Sequence, residues 1–116
     1  MKTSELTGAA LAYAVAQITP DLMQVGLCFY IRDAESGERV LFNPAENWSQ
    51  AGPIIEREGI DIKVVSSHPP VTEWCAVEFS DMDAKRHYGS TPLIAAMRCY
   101  AASKLGTELE VPDGLN

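Results

Sequence analysis

One stretch of this chain carries both a start and a stop for a helix: Gly-Ser-Thr-Pro-Leu-Ile-Ala-Ala-Met-Arg-Cys-Tyr-Ala-Ala-Ser-Lys-Leu-Gly, residues 89 to 106. Thr91 can cap the first free amides, Pro92 suits the first helical position because it has no N–H to leave unpaired, and Gly106 can take the left-handed conformation of a helix stop. Between them Leu93, Met97, Tyr100, Ala101 and Lys104 recur at helical spacing, with Ile94 and Leu105 widening the stripe. One face therefore lies against a core, and the remainder of the chain has to supply the surfaces that cover it.

The other elements follow from pattern and punctuation. A first helix is predicted from Ser4 to Gln17, with Ser4 as cap, Glu5 near the positive end, and Leu6, Ala10, Tyr13, Ala14 and Gln17 along one side. Gly8 weakens its interior by up to about 1 kcal/mol relative to Ala, so this helix depends on docking. Leu27 to Ile31 and Val40 to Phe42 flank Asp-Ala-Glu-Ser-Gly at 33 to 37 and read as a β-hairpin, with Gly37 available for a positive φ. Asn47-Trp48-Ser49-Gln50 announces a second helix, Asn47 capping and Gln50 reaching back as the partner of a capping box. Pro53 either kinks that helix or opens its regular part, and Gly59 ends it.

From Ile60 the period becomes two, with Ile60, Ile62 and Val64 alternating with Asp61 and Lys63 in a half-buried strand. Thr72 to Phe79 is a further strand, Cys75, Val77 and Phe79 on one face and Trp74, Ala76 and Glu78 on the other. Residues 81 to 90 form the longest polar connection and the expected mobile loop. The order helix, two strands, helix, two strands, helix predicts an α+β sandwich: a small, mainly antiparallel sheet of three or four strands flanked by three helices. It forms one domain over residues 1 to 116, with 107 to 116 a loose tail in which Leu109 and Val111 can pack as a short edge segment.

Composition enters through charge and size. With 47% hydrophobic residues in 116, the chain can bury a core without metal or disulfide support. Cys28, Cys75 and Cys99 stand singly in apolar surroundings and are expected as buried, reduced thiols. A net charge of −7 opposes binding to a phosphate backbone, so nucleic acid is not an expected partner. No run approaches the roughly 20 apolar residues of a membrane span, and Met-Lys-Thr-Ser-Glu-Leu lacks the order of a signal peptide, so the expectation is a soluble cytoplasmic protein with no membrane partner.

Two blocks, Asn-Trp-Ser-Gln-Ala-Gly-Pro-Ile-Ile-Glu-Arg-Glu at 47 to 58 and Gly-Ser-Thr-Pro-Leu-Ile-Ala-Ala-Met-Arg-Cys-Tyr at 89 to 100, resemble the signature blocks of the NinX family of tailed-phage proteins. The segments at 6 to 16 and 102 to 112 match as well, so the resemblance covers nearly the whole chain in order. Asn47 and Ala51 stand where the family usually has Asp and Gly, and Ala12-Tyr13 where it often has Asp-Trp; the cap and the aromatic packing survive these departures. The resemblance implies a phage origin and expression in an infected bacterium, hence the host cytoplasm. It brings no assigned activity and no catalytic residues to carry over.

The residues themselves offer little chemistry. His68 and His87 have no Cys, His or acid at metal-ligand spacing, Ser90-Thr91 is a cap and no nucleophile, and Glu56 and Glu58 diverge on a helix. No cofactor, metal or catalytic set is expected, and the protein reads as non-enzymatic. One feature remains: the helices near 48 and 92 begin in amide-rich sequence, and helix starts attract anions. Trp48 and Tyr88 stand beside them, and Lys85, Arg86 and His87 precede the second. The candidate ligand-binding residues are therefore Asn47, Trp48, Ser49, Gln50, Lys85, Arg86, Tyr88, Ser90 and Thr91, with Arg57 and Arg98 adding charge if their helices bring them near. The expected activity is sequestration of a small phosphorylated, nucleotide-type ligand such as a defence signal. The alternative is a blocker of a host protein, and self-association stays open.

Overall fold

In the computed structural model, which describes residues 1–65, 73–78 and 85–115, a 3-10 turn at Thr3–Glu5 leads into α1 (Gly8–Ala16), β1 (Met23–Val25), β2 (Cys28–Arg32) and β3 (Arg39–Leu41). Then follow α2 (Trp48–Glu58), β4 (Ile60–Val64), β5 (Trp74–Glu78), β6 (His87–Gly89) and α3 (Pro92–Leu105). The class is α+β, as expected. The strands are divided, however, between two antiparallel three-stranded sheets, β1-β2-β3 and β4-β5-β6, where one sheet was expected. Two short strands make the difference. β1 pairs Met23 with Tyr30 across a tight turn at Gly26 (φ 61), and β6 pairs Tyr88 with Cys75 inside what reads as a polar loop.

α3 is the centre, for the reason its punctuation suggests. Thr91 Oγ1 accepts from the Ile94 amide at 3.1 Å, Pro92 opens the helix, and Gly106 (φ 85) follows its end. Leu93, Met97, Tyr100 and Ala101 are buried as expected, but so are Ala95, Ala96 and Cys99, so the helix is covered on more than one side. The face of β4 and β5 that carries Ile60, Ile62, Trp74 and Ala76 packs on it. Gly89, at the end of β6, lies directly against the first turn of α3.

α1 is shorter than the predicted 4 to 17. Leu6 and Thr7 are extended, and Thr7, not Ser4, is the N-cap. The reason lies in packing: Leu6 is fully buried, and its carbonyl accepts from Arg98 Nε at 2.9 Å, a bond that a continuous helix would take away. Beyond Gly8 the small residues Ala10 and Ala14 let α1 approach α3 closely. It also contacts the first sheet, where Tyr13 meets Phe29 edge to face at 5.9 Å.

α2 runs through Pro53 without ending, and Gly59 (φ 65) stops it. At its far end Arg57 and Glu58 tie it to α3: Arg57 Nη2 donates to the Tyr100 hydroxyl at 3.0 Å, and Lys104 Nζ lies 3.0 Å from Glu58. The Tyr100 hydroxyl in turn donates to the Ile18 carbonyl. The chain ends meet as well. Met1 and Leu109 exchange backbone hydrogen bonds of 2.9 and 3.0 Å, and Leu109, Val111 and Leu115 pack against the core.

Candidate functional site

The two helix starts can be built residue by residue. Asn47 Oδ1 accepts from the amides of Ser49 (2.9 Å) and Gln50 (3.3 Å), so the α2 start is capped by the chain's own side chain. Gln50 does reach back, but not to Asn47 as in a capping box. Its amide oxygen accepts from the Asn43 N–H at 2.7 Å and its amide nitrogen donates to the Leu41 carbonyl at 2.8 Å, which clamps the α2 start to the end of β3. At the α3 start Thr91 is likewise spent on capping, while Ser90, Lys85, Arg86 and Tyr88 are exposed. His87 lies in β6, and His68 lies outside the described residues.

The two arginines already have protein acceptors. Arg57 bonds Glu58 and Tyr100, its guanidinium 5.9 Å from the Tyr100 ring centre. Arg98 spans Leu6 (2.9 Å) and the Tyr88 carbonyl (2.8 Å), so it braces β6 and the α1 approach against α3; burial lowers its pKa while it stays charged. The hydrogen bonds thus assign Asn47, Ser49 and Gln50 to the edge of the first sheet, and Tyr88, Thr91 and Arg98 to the second sheet and α3. Among the described residues no hydrogen bond or ion pair joins one group to the other. An open depression of about 380 Å³ at the α1 start, lined by Met1, Thr7 to Ala10 and Leu115, carries no charged side chain.

A different surface emerges from the register of the first sheet. Direct cross-strand partners share a face, as do residues two apart. Met23, Tyr30 and Leu41 form one row, Val25 and Cys28 a second, and Arg32 with Arg39 a third, all on one side. Phe29, Ile31 and Val40 are on the other, where Phe29 and Ile31 pack against the core. The first side faces out: Val25 is 58% and Leu41 52% exposed, Met23 40%, and only Tyr30 is half-buried, while Leu27 in the β1-β2 turn is exposed as well. Trp48, 59% exposed, opens α2 at the β3 edge that Gln50 clamps. Cys28, expected to be buried, is also exposed there, whereas Cys75 and Cys99 are buried.

Comparison with known families decides the relationship. The family model described as bacteriophage P22 NinX matches residues 2–104. The chain belongs to the NinX family. Among the curated proteins nothing matches it. The match takes in the described helices and strands of this NinX chain up to Lys104, next to the last residue of α3, so α2 start, α3 start and outer sheet face are parts of the family's domain. Among the described residues no group of His, Cys, Asp and Glu could hold a metal ion, and no helix is long and apolar enough to cross a membrane.

Reading the sequence for chemistry missed the outer sheet face because Leu27 to Ile31 is continuously apolar. Such a run reads as a strand covered on both sides. The available signal was that Met23 and Val25 alternate with Gln24 just ahead of it.

Proposed function

We propose that this NinX-family chain acts by binding alone, as a non-enzymatic phage accessory protein in the host cytoplasm that docks on a host protein and blocks it. One observation carries the reading: the outer face of the β1-β2-β3 sheet presents Met23, Val25 and Leu41 to solvent as one surface, and contiguous exposed apolar patches mark interaction sites. The test is capture from host lysate with wild type and with the Val25→Ser/Leu41→Ser variant. A stoichiometric host protein held by wild type and lost by the variant supports the reading; equal capture by both defeats it.

A second reading, sequestration of a small phosphorylated ligand at the α3 start, is favoured by the exposure of Lys85, Arg86, Tyr88 and Ser90 beside that helix end. Trp48 and the α2 start would then be a separate surface, and Arg57 and Arg98 would stay with their protein acceptors. Calorimetry with mono- and cyclic dinucleotides distinguishes the two, since Arg86→Ala should remove nucleotide binding and leave capture of a host protein intact.

A further inference from the structure

We infer that the segment docking on the outer face of the first sheet is acidic: a partner polypeptide that sets a carboxylate against Arg32 and Arg39 and apolar side chains against Tyr30, Met23 and Leu41. This rests on the protein-binding reading above and names the chemistry of its partner.

Arg32 and Arg39 are direct cross-strand partners. Like charges so placed repel, and the repulsion is relieved by an anion lying between them. The turn beside them contains Asp33, Glu35 and Glu38, yet none makes an ion pair with either arginine among the described residues. Asp33 Oδ1 instead accepts from the Glu35 amide at 2.9 Å. Arg32 Nη1 donates to the Gly37 carbonyl at 2.7 Å, which holds that guanidinium at the end of the hairpin, and Arg39 is exposed with no bond among the described residues. One step along the strands, about 7 Å from the arginine row, lies the row of Met23, Tyr30 and Leu41. A carboxylate over the arginines therefore brings its neighbouring side chains onto an apolar surface.

The make-up of this face also speaks against other occupants. The outer face carries two positive charges and no carboxylate, so a second copy laid face to face would meet arginine with arginine or with Val25. Three strands about 4.8 Å apart, β2 of five residues between β1 and β3 of three each, make a plate of at most roughly 15 by 17 Å, well below the roughly 800 Å² per partner of a stable interface. That area suits a short segment and not an obligate dimer. A lipid surface fits poorly too, because two arginines contribute only about 1 kcal/mol each toward anionic headgroups.

The experiment selects random dodecapeptides from a display library against the full chain and measures their affinity for wild type, Arg32→Gln/Arg39→Gln and Val25→Ser/Leu41→Ser, with thermal melts to show that each variant is folded. The expected result is peptides with Asp or Glu beside Leu, Ile, Phe, Tyr or Trp, weakened about tenfold or more by the arginine variant, as loss of a charge-assisted contact predicts. The serine variant should weaken them as well. Peptides that need Val25 and Leu41 but are indifferent to the arginines, or that carry no acid, overturn the acidic partner and leave the protein-binding reading standing. Peptides indifferent to both variants overturn both. Sedimentation of the free chain as a dimer that Leu41→Ser dissociates, or its pelleting with phosphatidylglycerol vesicles, also overturns the proposal.

Discussion

Two glycines should respond to the same substitution with opposite signs. Gly89 closes β6 against the start of α3, and a Cβ there would sit 2.6 Å from the Ala95 nitrogen, 2.8 Å from Ile94 Cγ2 and 3.0 Å from the Ile94 carbonyl carbon. The Ile94 methyl can rotate away, but the other two atoms are backbone of the first turn of α3. That turn is held by the Thr91 cap and by the bond from Arg98 to the Tyr88 carbonyl. Ordinary contact needs about 3.5 Å, so strand or helix must shift by close to 1 Å. Overpacking of this kind costs about 1–3 kcal/mol, reduced by the roughly 0.4–1 kcal/mol that losing a glycine takes from the unfolded chain's entropy. The net expectation for Gly89→Ala is a loss of about 1–2 kcal/mol. Gly52 lies inside α2 with nothing within 4 Å of its would-be Cβ. There the helix preference of alanine should stabilise by about 0.5–1 kcal/mol. At this length 1 kcal/mol moves the melting temperature by about 4 °C, so the two variants should melt roughly 6–12 °C apart, with wild type between them. Circular dichroism melts at one concentration decide it. A Gly89→Ala chain as stable as wild type would refute the close packing of β6 on α3.

Met97 is fully buried on the inner face of α3, so Met97→Asp should unfold the domain: an unpartnered carboxylate there costs several kcal/mol against a total of about 5–15, seen as loss of the cooperative melt. Arg98→Met removes the donor to two carbonyls and should cost about 2–3 kcal/mol, read as a lower urea midpoint at unchanged slope. The Glu58 carboxyl is held below the ordinary carboxylate range first by Lys104 and then by Arg57. Its stabilisation is therefore present above the unfolded carboxyl's pKa of about 4.3 and lost as pH falls through the lower folded value. Because both cations are about half exposed, the loss should be no more than about 1 kcal/mol. Urea midpoints between pH 6 and 3 should fall less steeply for Glu58→Gln than for wild type.

How much of this was legible in the residues varied with the cause of each feature. Local chemistry was readable: Thr91, Pro92 and Gly106 bound α3, Asn47 and Gly59 bound α2, and the alternation of Ile60, Ile62 and Val64 marks β4. Features created by tertiary contact were not. β1 and β6 are three residues each, too short for their pattern alone to establish a strand, and exist because β2 and β5 offer them a ladder. The α1 start moved from Ser4 to Thr7 because Arg98, 92 residues away, takes the Leu6 carbonyl. The spacing of Gln50 from Asn47 implies a side chain that turns back to the cap amide, whereas it turns back to serve the strand that precedes it. The candidate site divides in the same way. Asn47 and Thr91 were recognised as caps, and capping is where their oxygens go; Arg57 and Arg98 have acceptors that only the fold supplies.

The outer face of the first sheet stays bare because the helices are committed elsewhere. α3 lies on the second sheet, α1 on the inner side of the first, and α2 is fixed at one end to Leu41 and Asn43 and at the other to Tyr100 and Lys104. Met23, Val25 and Leu41 are each about half exposed. Burying the remainder of three such side chains contributes on the order of 1 kcal/mol apiece, since a complete Val or Leu is worth about 1.5–3 kcal/mol. Roughly 3 kcal/mol does not exceed the 4 kcal/mol or more of translational and rotational freedom that association removes. An apolar contact alone would therefore leave the face unoccupied in the cell, and a charge-assisted contact at Arg32 and Arg39 would have to supply the surplus. It follows that the two halves of the surface should not behave additively. Replacing either the arginine pair or Val25 and Leu41 should already weaken binding about tenfold or more, and a partner that keeps its affinity after both changes would show that the contact lies elsewhere on the molecule.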